Sequence, residues 1–187
     1  FKNVKNDPAI SINRNFTSPV KINLKQNKNK LKVLMMYDDD PFKKWDVINK
    51  YLLDLCIKQS KNPNNITIDK FFIKVIKVIL LNSHKDPAFA AELLSLPSEN
   101  EIAENIKNYN PDKVFKARKD IIKNIKNTLY NEFHCIYKKC STVSNRNLRS
   151  WRVLHNICLE YLTIEGNTSS QKIALEAYNN SNNMTIK

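Results

Sequence analysis

Apolar side chains along this chain first alternate and then recur at helical spacing. Val20, Ile22 and Leu24 alternate with Lys21, Asn23 and Lys25; Leu31, Val33 and Met35 alternate with Lys32, Leu34 and Met36. The polar stretch QNKNK lies between the two runs. This pattern predicts strand, turn, strand, and an extended piece around Ile10 to Phe16 offers a third strand. A sheet this small must lean on other structure to be stable.

After Tyr37 the period becomes helical. Asp40-Pro41 supplies an N-cap and a proline at the first helical position, where a missing N–H costs nothing. Trp45, Ile48, Leu52, Leu53, Leu55 and Cys56 then form an apolar stripe that ends at the loop KNPNN. A second helix is predicted over Ile66 to Leu81, with Phe71, Phe72, Val75, Ile76, Ile79 and Leu80 inward. Asp86-Pro87 repeats the cap-and-proline device before Phe89, Ala90, Leu93 and Leu94. Pro97 ends that helix, and Ser98 with Glu101 makes a capping box for the next.

Asn110-Pro111-Asp112 opens a long helix reaching about Lys139. Its inward face is Val114, Phe115, Ile121, Ile122, Ile125, Leu129, Phe133 and Ile136, with Lys113, Lys116, Lys119, Lys123 and Lys126 on the rest of the cylinder. A further helix is predicted over Asn145 to Glu165, burying Trp151, Leu154, Ile157, Cys158, Tyr161 and Leu162. Gly166, the only glycine, stands where a helix end needs a left-handed residue. A last helix starts near Ser169. The expected fold is mainly α: stacked antiparallel helices, resembling a superhelical layer, preceded by a small β segment. No repeat of fixed period is visible, so a regular solenoid is not expected.

Composition changes this picture little. Hydrophobic residues make up 42% of 187 residues, an ordinary globular share. The net charge of +13 suits a nucleic-acid partner, but the basic residues are spread along the chain and asparagine is enriched with lysine. Codon bias toward A raises both together, so nucleic acid is not the expected partner. No apolar run is long enough to cross a bilayer and no signal pattern opens the chain, so no membrane is expected as a partner. The opening FKNVKNDPAI reads as the middle of something longer. Cys56, Cys135, Cys140 and Cys158 form no CxxC pair, which points to reduced thiols and a cytoplasmic setting.

The search for chemistry finds no site. His84, His134 and His155 never fall at i, i+4, and no HExxH occurs. His134 and Cys135 project about 100° apart on a helix, so a metal cluster with Cys140 and Cys158 is a poor candidate beside buried core thiols. A single glycine excludes GxSxG and any Gly-rich phosphate loop. Glu99, Glu101 and Glu104 sit at a helix start, where capping explains them. Tyr37-Asp38-Asp39-Asp40 holds acids, one an N-cap and the others expected in solvent, too few oxygens for a hard cation. Phe71, Phe72 and Phe89 read as core, not as a platform for bases. No catalytic, metal or cofactor-binding residue is assigned.

One stretch departs from the Lys/Asn background: DPAFAAELLSLPSENEIAE, Asp86 to Glu104, which has no lysine and two prolines. It resembles the start of the C-terminal helical domain of the aminopeptidase N family, zinc metalloaminopeptidases of the gluzincin clan. RNFTSPVKINL (Arg14 to Leu24) looks like a strand of that family, with Thr17-Ser18 in place of Ser-Ala. DPFKKWD (Asp40 to Asp46) resembles the start of its first helix. RVLHNICLEYL (Arg152 to Leu162) looks like a later helix, with Val153 replacing Thr and His155 replacing Arg. NNMT (Asn182 to Thr185) matches the segment after the next helix.

The resemblance implies a fragment: residues 1–37 as the end of a small β-sandwich domain and 38–187 as the first part of a C-terminal helical domain. It implies a parent that removes N-terminal residues from peptides with zinc, whose catalytic domain this piece scaffolds and whose access it limits. The implied partners are that catalytic domain and the parent's peptide substrates. The family's Gly-x-Met-Glu-Asn and HExxH motifs are absent from this sequence, so zinc is implied for the parent and no cofactor for this chain. The alternatives are a basic helical module that binds nucleic acid, with Lys113, Lys116, Lys119 and Lys123 merging into one stripe with another helix, and a helical protein-interaction scaffold. Ala88, Ala90 and Ala91 are expected to line a tight helix–turn–helix corner.

Overall fold

In the computed structural model, residues 7–20, 22, 24–63, 67–142 and 148–181 are described. They fold into eight α-helices and one short 3₁₀ turn, with no strand among the described residues. The chain divides into two compact units, Phe1–Tyr51 and Leu52–Lys187.

The first unit begins with an irregular stretch that makes a 3₁₀ turn at Arg14–Phe16. Helix α1, Lys28–Tyr37, follows. This overturns the hairpin. Asn27, inside the supposed turn QNKNK, caps the helix by accepting the Lys30 N–H at 2.9 Å. A strand would place Leu31, Val33 and Met35 on one face; instead Leu34 and Met35 are buried and Val33 is 48% exposed. Apolar residues at 31, 34 and 35 also satisfy the helical spacing, and the cap decides between the two periods. Val20 and Leu24 are exposed and pair with no strand, while Lys21 and Asn23 of the same expected strand lie outside the described residues.

Helix α2, Pro41–Lys61, starts where Asp40-Pro41 predicts and runs through the division between the units. Asp40 Oδ1 accepts the Lys43 N–H at 2.7 Å. Lys44 Nζ donates to the carbonyls of Met36 and Asp38 at 3.3 and 3.4 Å, closing the turn between α1 and α2.

In the second unit α3 spans Lys70–Asn82, α4 Pro87–Leu94, α5 Glu99–Glu104, α6 Pro111–Thr142, α7 Leu148–Thr163 and α8 Thr168–Asn179. Helix α3 starts at Lys70 because Asp69 takes the cap, accepting the Phe71 N–H at 2.8 Å; the expected start, Ile66, lies outside the described residues. Asp86, Ser98, Asn110 and Asn167 cap the later helices through N–H groups three residues on. Gly166, at φ 65°, takes the left-handed position after α7.

Helix α6 packs on α3, α5 and α7, α4 packs on α3 and α7, and α8 rests on α7. Near its middle α6 departs from helical geometry at Leu129 (φ −124°, ψ 28°). The preceding Thr128 donates its hydroxyl back to Asn124 O at 3.1 Å, a bond of the kind that bends helices.

Two assignments on α6 are corrected, one inward and one outward. Phe115 is 60% exposed, standing one step around the cylinder from the buried line Val114, Ala117, Ile121, Ile125. Lys126, expected outward, is 7% exposed because it borders the stripe between Ile125 and Leu129 and finds an anion there.

Candidate functional site

The acids Asp38, Asp39 and Asp40 form the most densely bonded polar cluster of the first unit. Asp38 is buried, not solvated as its sequence setting suggests. Its Oδ1 accepts from Arg14 Nη1 at 3.2 Å and from the Asp40 N–H at 3.0 Å. Arg14 Nη2 donates to Asp39 Oδ1 at 2.6 Å, and the Asn15 N–H donates to Asp40 Oδ2 at 2.8 Å. The hydrogen bond from Arg14 holds the Asp39 carboxyl below the usual carboxylate range, and Asp39 in turn raises the guanidinium. Asp40 thus caps α2 with one oxygen and holds the Asn15 backbone with the other. Protein donors occupy Oδ1 of Asp38 and Asp39 and both oxygens of Asp40, while Asp38 Oδ2 is buried without a hydrogen-bond partner among the described residues. The cluster acts as a fastening, and no metal-holding group is found among the described residues.

Beside it, Phe16 lies on Phe42 with ring centroids 4.7 Å apart. Asp46 bonds Lys43 and Lys50 at 2.8 and 2.7 Å. Burial pushes the Asp46 carboxyl up, but the two ammonium groups prevail and its pKa is lowered. Two segments far apart in sequence, RNFTSPV and DPFKKWD, therefore meet through Asn15 and Phe16, while Arg14 holds the two acids just before the second segment.

In the second unit the corner α4–α5 is fixed by a contact with no local signature. Tyr161 donates its hydroxyl to Leu94 O at 2.8 Å, and its ring stacks on Phe133 at 4.3 Å. Burial pushes the Tyr161 phenol pKa far up, so it remains a donor. Ala90 and Ala91 are buried at this corner, whereas Ala88 is exposed and takes no part. Glu99 reaches Arg118 of α6 at 3.8 Å, and Ser98 accepts the Glu101 backbone N–H at 3.1 Å. Glu99 and Glu101 lie in the first turn of α5, whereas Glu104, expected at the helix start, is its last residue.

The thiols and imidazoles differ in burial and in what they touch. Cys56 and Cys158 are buried, Cys140 is half-buried and Cys135 exposed. Burial pushes the Cys56 and Cys140 thiols up to about 12 and that of Cys158 further, the opposite of what a thiolate ligand needs. His84 sits in the turn after α3, His134 stacks on Tyr130, and His155 stacks on Tyr137 at 4.7 Å. Among the described residues no group of three or more His, Cys, Asp or Glu is placed to hold a metal ion. The donors among the described residues do not fit zinc.

The lysines of α6 differ in what they meet. Lys126 and Lys123 reach Glu165 at 2.9 and 3.6 Å, and Lys126 also lies over the Tyr130 ring. Lys113 instead joins Lys61 and Lys107 around a recess of about 530 Å³, whose lining also includes Ser60, Ile106 and Val114. Phe72 is buried and Phe71 and Phe89 are half-buried, as core residues and not as an open platform. No helix among the described residues is long and apolar enough to cross a membrane.

Comparison with known proteins sets this geometry in a family. Residues 28–187 match the family described as "Domain of unknown function (DUF3458_C) ARM repeats". Aminopeptidase N of Escherichia coli (strain K12) is 26% identical over 192 residues, covering 99% of this chain and 22% of that protein. Aminopeptidase N of Haemophilus influenzae is 28% identical over 194 residues, with the same coverage of 99% and 22%. A crystal structure of Legionella pneumophila aminopeptidase A in complex with aspartic acid superposes with a TM-score of 0.79 at 20% identity, over 93% of this chain and 22% of that one. That likeness concerns the fold. The chain spans about a fifth of the curated relatives it matches. It belongs to the DUF3458_C ARM-repeat family, as a helical domain matched along its whole length to aminopeptidase N.

Proposed function

We propose that this chain is a non-catalytic portion of a zinc-dependent aminopeptidase, a hydrolase that removes N-terminal amino acids from peptides. In this reading it scaffolds the catalytic domain of the same protein and restricts the access of substrates. The observation that carries the reading is the alignment with aminopeptidase N along 99% of this chain, in register with 22% of the relative. Residues before the family domain are proposed to be the end of a preceding domain of the same parent. The zinc, with the residues that hold it, lies elsewhere in that parent, since the donors here do not fit it.

Helix α8 supports the reading of a part with neighbours. It buries only Ser170 and Ala177, both small, while Leu175 is 60% and Tyr178 53% exposed. An apolar helix face left open in this way is a surface suited to a further layer. Four free cysteines, two of them in the core, support a reducing, cytoplasmic setting.

The test uses the complete protein that carries this chain. Release of the fluorophore from an aminoacyl-coumarin and of N-terminal residues from peptides of increasing length is measured with zinc, after chelation, and after deletion of residues 28–187. The reading expects activity that chelation abolishes. It also expects the deletion either to abolish activity or to extend cleavage to longer peptides. A zinc-replete parent without aminopeptidase activity sinks the enzyme reading. An active parent whose length preference ignores the deletion sinks the role in access.

A further inference from the structure

We infer that residues 10–20 form a strap that is latched by Arg14 and opens on its own, as a salt-sensitive device separate from unfolding of the helices. The inference rests on how the strap is held. Every residue from Arg14 to Val20 is exposed, so no buried apolar anchor fixes this stretch. Its ties are directional: Arg14 to Asp38 and Asp39, the Asn15 N–H to Asp40, and the Phe16 ring against Phe42. At its N-terminal end the Gln26 side-chain amide brackets Ile10, accepting from its N–H at 2.8 Å and donating to its carbonyl at 3.0 Å.

The strap is also strained. Asn13, Asn15 and Phe16 have φ of 57°, 54° and 50°. Asparagine tolerates the left-handed region, but phenylalanine pays a steric cost there of about 1–2 kcal/mol. Asn13 offsets part of this locally: its Oδ1 accepts the Ser18 N–H at 3.1 Å and its Nδ2 donates to Ser18 O at 3.0 Å. Opening therefore relieves strain at Phe16 and breaks bonds centred on one guanidinium. Arg14 and Asp39 are open to solvent, with 44% and 83% of their side chains exposed, so added salt weakens the tie between them. Segments with few buried contacts and exposed polar ties open at a lower free energy than the core. The charges facing the latch are Asp38, Asp39, Asp40 and Lys44, the last held on the carbonyls of Met36 and Asp38. When the strap leaves, it uncovers Phe42 while Asp40 keeps its cap on α2.

Amide hydrogen exchange of the 187-residue chain, followed by NMR, separates the two kinds of opening. The Asn15 and Lys43 amides are both held by Asp40, but only Asn15 belongs to the strap. Raising salt from roughly 0.05 to 0.5 M should speed Asn15 exchange about tenfold, leaving Lys43 and the α4 amide of Phe89 unchanged. Arg14→Ala should speed Asn15 at low salt and abolish the salt effect; Arg14→Lys, which keeps the charge and loses the fork, should fall between. Asn15 and Lys43 exchanging at one common rate would overturn the latch, as would an Asn15 rate indifferent to salt in the unaltered chain. The salt experiment needs no variant, so an Arg14 variant that fails to fold leaves the test intact.

Discussion

The strap at residues 10–20 and the α4–α7 corner hold chain segments together by opposite means. The strap buries almost nothing and relies on a guanidinium, three carboxylates and one backbone N–H. The corner encloses Leu94, Phe133, Leu154 and Tyr161 almost completely and adds one hydrogen bond, from Tyr161 to Leu94 O. Directional bonds between exposed groups specify a geometry but exchange with water at little net cost. Buried rings gain from leaving water and from close packing, and each is shared by several helices. Damage to the corner should therefore be global and damage to the strap local.

The largest effect should come from Phe133→Ala. The ring is fully buried and stacked at 4.3 Å on Tyr161, so its removal leaves a cavity where α6 meets α7. A loss of about 3–5 kcal/mol is expected, read from urea denaturation monitored by circular dichroism. A loss under about 1 kcal/mol would show that the corner is not the stabilising centre and would erase the contrast with the strap.

Tyr161→Phe is the finer version. It keeps the ring on Phe133 and deletes the donor to Leu94 O, leaving a carbonyl at the end of α4 without that bond. About 1–3 kcal/mol should be lost, with Asn15 exchange at low salt untouched. An unchanged denaturation midpoint would mean that water replaces the hydroxyl and that packing alone holds the corner.

What the sequence made legible follows from how local each interaction is. Asp40, Asp86, Ser98 and Asn110 cap helices through N–H groups three residues away, so a short window contains both partners. The stripes on α3 and α7 were readable for the same reason. Helix α1 was not, because Leu31, Val33 and Met35 fit period two while Leu31, Leu34 and Met35 fit the helix, and Asn27, the cap that decides between them, reads equally well as a turn residue. Lys126–Glu165, Tyr161–Leu94 and Arg14–Asp38 join residues too far apart for any window. The family resemblance marked RNFTSPV and DPFKKWD but not that Arg14 and Asn15 join them to the acids before α2. A polar residue beside an apolar stripe, as Lys126 is beside Ile125, looks the same in sequence whether it meets solvent or an acid.

His155 carries the last and smallest effect, because it puts a titratable ring inside the region held by burial. It is buried on α7, its ring stacks on Tyr137, and its Nδ1 finds no hydrogen-bond partner among the described residues. Burial lowers its pKa below the ordinary 6.5, although Asn156 opposes the shift. In the folded chain the imidazole is therefore neutral at pH values where the unfolded chain already binds a proton. Its contribution to stability is fully present above about pH 6.5 and is lost as pH falls from there toward the folded value. The slope contributed by this one site cannot exceed about 1.4 kcal/mol per pH unit. His155→Phe keeps an aromatic ring against Tyr137 and removes the titration. Subtracting the variant's urea-derived stability from the parent's at each pH cancels the carboxylates common to both. The difference should be flat above about pH 6.5 and turn against the parent below it. A difference that stays flat down to pH 5 would mean that the protonated ring is solvated in the fold, and that this part of the burial-held region is as open to water as the strap.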